Sequence, residues 1–131
     1  MKTSLVLGVA LFIFASCTTL PPTEPRLIGT WAISGAIDHH QDGSQTRVSL
    51  EPTMDITVTP DHRMIWRDRR GKGEAAVARW RLEGNDLVFT METKSFWGGP
   101  GTTRRERIVK ITSNELIVGD GTTDGVWTRI R

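Results

Sequence analysis

From Leu27 onward the chain alternates between apolar and polar residues in short runs. Met54, Ile56 and Val58 share one parity, with Asp55, Thr57 and Thr59 on the other. Ala76, Ala78, Trp80 and Leu82 oppose Val77, Arg79 and Arg81, and Leu87, Phe89 and Met91 oppose Val88 and Thr90. Successive side chains of a strand point to opposite faces, so a period of two puts one face in a core and the other in water. Turn signals separate the runs: Asp42-Gly43, Glu51-Pro52, Pro60-Asp61, Gly71-Lys72-Gly73, Gly84-Asn85-Asp86, Ser113-Asn114, Asp120-Gly121 and Asp124-Gly125. The intervals between them suit strands and are too short for packed helices. The pattern predicts an all-β domain over residues 27–131, about eight antiparallel strands joined by hairpins, with no helix inside it. Short sequential connections favour closing the sheet into an up-and-down barrel, which abolishes both edges.

One stretch departs from this pattern. After Met1 and Lys2 comes an uncharged apolar run, Leu5 to Ala15, ending in Ala15-Ser16-Cys17. That is the layout of a secretory signal peptide, and it falls short of the roughly 20 residues a spanning helix needs. Phe14-Ala15-Ser16-Cys17 resembles the lipobox of bacterial lipoproteins, with Phe at a position where Leu is usual. The resemblance implies cleavage before Cys17, acylation of its thiol (palmitate among the chains), and a mature protein anchored by lipid in the bacterial cell envelope. Thr18 rather than Asp follows the cysteine; by the same resemblance this implies the outer membrane, facing the periplasm. The alternative is an ordinary signal peptide cut nearby, leaving a bystander Cys17. This is the sole cysteine, so no internal disulfide exists, and acylation removes a thiol that is a liability in an oxidising compartment. Residues 17–26 contain Pro21, Pro22 and Pro25 and read as an extended tether. The expected organisation is therefore a signal peptide helix over 1–16, a tether over 17–26 and a barrel domain over 27–131.

Composition adds little beyond this. Of 17 basic residues only Lys2 falls before Cys17, and the 15 acidic residues all follow it, so the mature chain is close to neutral. The marked basic excess of a nucleic-acid binder is absent. Five Trp and no Tyr give the domain large apolar side chains that each carry a single N–H to satisfy.

Leu27-Ile28-Gly29-Thr30-Trp31 resembles the G-x-W signature on the first strand of lipocalins and the wider calycin group. The layout after it is similar to shorter bacterial lipocalin-like domains, down to a closing strand at GVWTRIR. The resemblance implies that Trp31 packs at one barrel end beneath an Arg from the last strand. Arg129 matches that partner, or Arg131 if the register differs by two. A guanidinium over an indole face gains a cation–π term, and its stem covers apolar surface. The Tyr-containing lipocalin motif has no counterpart here.

Three clusters are candidates for chemistry. His39 and His40, within Asp38 to Gly43, are metal-ligand types, yet adjacent residues on an extended loop diverge; the segment reads as a solvated loop with no metal. In Lys94 to Arg105, Phe96 and Trp97 sit among Gly98, Gly99 and Gly101. Over an open barrel end they form either a lid and contact surface or an inward plug. Arg67, Arg69, Arg70 and Lys72, with Arg104, Arg105 and Arg107, either meet anionic headgroups or polysaccharide, or are solvated charge on strands and turns. No nucleophile motif, phosphate loop or H-E-x-x-H is present, and nothing calls for a cofactor. The sequence reads as a non-enzymatic, lipid-anchored binding module whose partners are a membrane, through its N-terminal lipid, and a small apolar ligand or an envelope protein. The alternative is an interaction lipoprotein with a filled barrel. An eight-stranded barrel holds its own side chains or one small ligand, and Met54, Met64, Trp66, Trp80, Phe89 and Met91 are bulky enough to fill it.

Overall fold

A computed structural model of the chain describes residues 23–131. The signal segment, Cys17 and most of the 17–26 stretch lie outside the described residues. A helical turn, α1 (Glu24–Leu27), precedes nine strands: β1 (Gly29–His39), β2 (Gln45–Ser49), β3 (Met54–Val58), β4 (Arg63–Asp68), β5 (Ala76–Glu83), β6 (Asp86–Met91), β7 (Thr103–Ile111), β8 (Glu115–Gly119) and β9 (Thr123–Arg129). Every pairing is antiparallel. From β3 to β9 each strand pairs with its chain neighbour, and β9 returns to β1. Eight strands thus form a closed barrel, and β2 is an additional strand outside the ring.

The extra strand arises because β1 is long and shares one edge between two partners. Gly29–Ala32 pair with β3, whereas Gly35–His39 pair with β2. On its other edge β1 runs against β9 throughout, with a bulge between Ile33 and Gly35 at the changeover. An inserted residue bends a strand at such a point. All five residues of β2 are exposed, so it carries no apolar alternation and escaped the period-two reading.

The inner face follows the alternation. Ile56 and Val58 from β3, Met64 and Trp66 from β4, Ala78 and Trp80 from β5, and Leu87, Phe89 and Met91 from β6 are all buried in one cluster. A second, small cluster of Ile37, Ile117 and Val126 lies apart from it. Val126 and Ile117 alternate with the inward-facing Trp127, Leu116 and Val118, so this cluster is on the outer wall, where Arg47 of β2 reaches Glu115 of β8 at 2.7 Å.

Two local expectations are revised. The end of the Pro-rich stretch is not extended: Pro25 lies in the first turn of α1, where its fixed φ suits a helix and its missing N–H costs nothing, and Leu27 is buried at the turn's end. Asp124-Gly125 is not a turn but the interior of β9. Asp124 is 2% exposed, and its carboxylate meets His39 Nε2 at 2.6 Å. His39 thus partners one carboxylate oxygen, Oδ2, while Oδ1 is buried without a hydrogen-bond partner among the described residues.

Candidate functional site

The two ends of the barrel are built differently. At one end Trp31 is wholly buried, and its indole N–H donates to the Leu27 carbonyl at 2.9 Å. Arg129 is its register partner on β9 and lies over the ring, with Cζ 4.2 Å from the centroid. The guanidinium also donates to the Ile28 carbonyl at 2.7 Å, to the Ser113 carbonyl at 2.7 Å and to the Arg26 carbonyl. Arg131 is not the partner; its carbonyl instead accepts the Thr30 N–H at 2.8 Å. Gly29 is required here, since a Cβ on it would lie 2.4 Å from Arg129 Nη1 and 2.5 Å from the Arg131 oxygen, at a φ of +142°. This end is a plug with its polar groups satisfied.

At the other end the side chains leave a cavity of about 260 Å³. Its walls are mainly aromatic: Trp66, Phe89, Trp127 and, from the β6–β7 loop, Trp97. Trp66 and Phe89 have centroids 5.3 Å apart, and Trp97 meets Phe89 edge-on at 6.2 Å. The side chains expected to fill the barrel therefore do not fill it completely. Met54, Met64 and Trp80 pack within the core cluster or against it but do not line this cavity.

The loop that carries Trp97 is a tight turn. Ser95 and Gly98 exchange backbone hydrogen bonds of 2.9 and 3.1 Å, and Ser95 Oγ accepts the Trp97 N–H. Gly98 has a φ of +136°, which a side chain would strain. The plug and lid readings each take one ring. Trp97 packs inward on the core, while Phe96, 4.2 Å from Trp97, is 67% exposed.

Polar groups gather at the same mouth. Arg104 and Glu106 lie four and two residues before the inward Ile108 on β7, so both face in. Arg104 Cζ sits 4.4 Å from the Trp97 centroid, and Nη2 donates to Glu106 at 3.2 Å. This separates Arg104 from Arg105 and Arg107, with which sequence reasoning grouped it; Arg105 pairs with Glu83 and Asp86 on the exposed face. Asp120 and Thr123 complete the rim. The Asp120 carboxylate accepts the backbone N–H groups of Thr122 and Thr123, which hold its pKa below the ordinary carboxylate value, and the charge of Arg104 acts in the same direction.

The remaining candidates lie elsewhere. His39 turns to Asp124 and His40 to Thr46 Oγ1 at 2.7 Å, so the two rings diverge. Among the described residues no three His, Cys, Asp or Glu gather in a manner able to hold a metal ion. Arg69 pairs with Asp55 at 2.6 Å and Arg70 with Asp68 at 2.9 Å, and Arg67 and Lys72 are exposed. Glu106, Asp120 and the inward Arg104 were missed in the sequence. The available signal was the parity of β7, since counting back by twos from Ile108 reaches both β7 residues.

No protein-family model matches the chain, and no curated protein sequence matches it. Solved structures do. A lipocalin-like protein from Bacteroides uniformis superposes with a TM-score of 0.60 at 11% identity, covering 80% of this chain and 99% of that one. An uncharacterized protein from Bacteroides eggerthii gives 0.57 at 13% identity, covering 79% and 98%. At such identity the likeness is one of fold: this chain is built as a lipocalin-like barrel, closed by Arg129 over Trp31 at one end and open at the other.

Proposed function

We propose that this protein is a non-enzymatic, lipid-anchored binding module of the bacterial envelope that holds one small, largely apolar molecule in the open end of its barrel. The observation that carries the binding reading is the aromatic-walled cavity of about 260 Å³ beneath Trp97. At roughly 30 Å³ per water this is room for about nine waters, and it lies just below the ~300–1,000 Å³ of pockets for drug-sized ligands. A compact ligand fits and a long lipid does not. Apolar walls with a few convergent polar groups are the usual chemistry of such sites. The anchoring part rests on the lipobox-like Phe14 to Cys17 and on the absence of any other cysteine.

The exposed Phe96 ring beside the mouth favours a second role, contact with an envelope protein. Native mass spectrometry of the full chain, extracted gently from its own membrane, tests both parts together. The expected spectrum carries acyl chains lost in Cys17→Ala and a retained small molecule lost on denaturation. Unchanged membrane association of Cys17→Ala overturns the anchor. A wild-type protein that neither retains nor takes up any small molecule overturns the binding reading.

A further inference from the structure

The charged groups at the mouth do not balance. Two carboxylates, Glu106 and Asp120, line the cavity against one guanidinium, Arg104. The guanidinium is already engaged: it lies 4.4 Å from the Trp97 centroid and donates to Glu106 Oε1 at 3.2 Å. Each carboxylate, by contrast, keeps one oxygen without a hydrogen-bond partner among the described residues. Glu106 bonds through Oε1 alone, and both Asp120 bonds fall on Oδ1.

These oxygens are within reach of a ligand. Glu106 faces into the barrel with its side chain 14% exposed, and its Oε2 is not sealed in protein. Asp120 stands exposed at the rim. Trp97 Nε1 is the opposite case, an unpartnered donor buried too completely for a molecule in the cavity to touch. The mouth therefore offers free acceptors and an excess of negative charge. Its walls suit a ligand of the opposite sign, since an aromatic face attracts a cation within about 6 Å. Arg104 and Arg129 lie over Trp97 and Trp31, whereas Trp66, Phe89 and Trp127 have no cation over them among the described residues.

We infer that the ligand is a compact organic cation, a protonated amine on a small apolar or aromatic body. This rests on the mouth being the binding site. An ammonium can only donate, so Glu106 Oε2 accepts from it, while Asp120 adds negative charge at the entrance. The body lies against Trp66, Phe89 and Trp127. Charge-assisted bonds of this kind are about twice as strong as neutral ones. A carboxylate of the same size fits poorly, because it meets two groups of its own sign and an arginine whose charge Glu106 already offsets.

Four probes of nearly equal size separate the chemistries: 2-phenylethylamine, phenylacetamide, phenylacetate and ethylbenzene. Each is titrated at about pH 7, where the amine is protonated, into the ¹⁵N-labelled full chain in a non-ionic detergent. The five indole N–H resonances, assigned by Trp→Phe variants, are followed by NMR. The amine should shift Trp66, Trp97 and Trp127, which line the cavity, and leave Trp31 and Trp80 in place. It should bind roughly tenfold more tightly than the amide or ethylbenzene, with phenylacetate weakest. Glu106→Gln should bring the amine down to the level of the amide. The half-exposed charges should matter less: Asp120→Asn should weaken the amine about threefold, and Arg104→Gln, which removes the opposing charge, should tighten it about threefold. A tightest-binding phenylacetate, equal affinities for all four, or an amine preference that survives Glu106→Gln and Asp120→Asn together overturns the cation assignment while leaving the mouth as the site. If no probe binds yet the membrane-extracted protein retains a small molecule, the cation assignment falls alone. If no probe binds and nothing is retained, both readings fall.

Discussion

Each end of this barrel carries one arginine stacked on one tryptophan, at nearly the same distance: 4.2 Å for Arg129 on Trp31 and 4.4 Å for Arg104 on Trp97. The pairs differ in everything else. Arg129 also ties down three backbone carbonyls, and the N–H of its tryptophan is bonded. Arg104 has a single carboxylate partner, and the N–H of its tryptophan has none. The same attraction acts as a structural lock where every remaining polar group is satisfied. Where groups are left over, it forms the wall of a site.

The comparison is sharpest under truncation. Trp31→Ala removes a fully buried ring at the locked end and should cost about 3–5 kcal/mol, read as a lower urea midpoint. Trp97→Ala, on a half-buried loop residue, should cost much less in the same assay, about 1 kcal/mol, while abolishing ligand uptake. Equal losses at the two ends would erase the distinction.

Arg129→Ala frees three carbonyls and should cost about 2 kcal/mol. Its effect should shrink in a Trp31→Ala background, because residues in contact do not add. Strict additivity in that double-mutant cycle would mean the two residues do not support one another. The corresponding cycle between Arg104 and Trp97, where the arginine side chain is 41% exposed, should give a coupling of only about 0.5–1 kcal/mol.

The smallest effect belongs to the rim. The lowered pKa of Asp120 means that its charged form favours the fold above the unfolded carboxylate pKa of about 4, and that this contribution fades as pH falls through the lower native value. Urea midpoints of wild type and Asp120→Asn should therefore differ slightly at pH 7 and converge in acid. A gap that persists at low pH would point to the turn geometry rather than to the charge.

The walls of the barrel were legible where one face is wet and the other dry. Met54 to Val58 and Ala76 to Leu82 alternate because each strand has water on one side only, whereas in Leu87 to Met91 the outward Val88 is buried as well and the inner face was read from parity alone. β2 was invisible because both its faces are wet, and Asp124-Gly125 misled because a buried aspartate looks, in sequence, like a turn former. Trp31 and Arg129 were readable as a pair because their register follows from closure of the first strand on the last. The cavity was not readable. Whether Trp66, Phe89 and Trp127 fill a barrel or leave 260 Å³ between them depends on ring tilts that no residue pattern encodes.

The path of α1 into the barrel sets a direction. The described chain begins at the closed end, where Arg129 holds the Arg26 carbonyl and Leu27 is buried. A tether drawn from before Thr23 thus leaves from the end opposite the mouth. An anchor at Cys17 is six residues further back, and even fully extended chain covers only about 20 Å over that span at ~3.3–3.6 Å per residue. That is less than the roughly 36 Å contour of the eleven-residue β1 at ~3.3 Å per residue. If the proposed lipid sits at Cys17, so short a leash would not reach around the barrel to bring the other end down to a bilayer. On that proposal the plugged base would face the lipid, and whatever enters the mouth would arrive from the aqueous side.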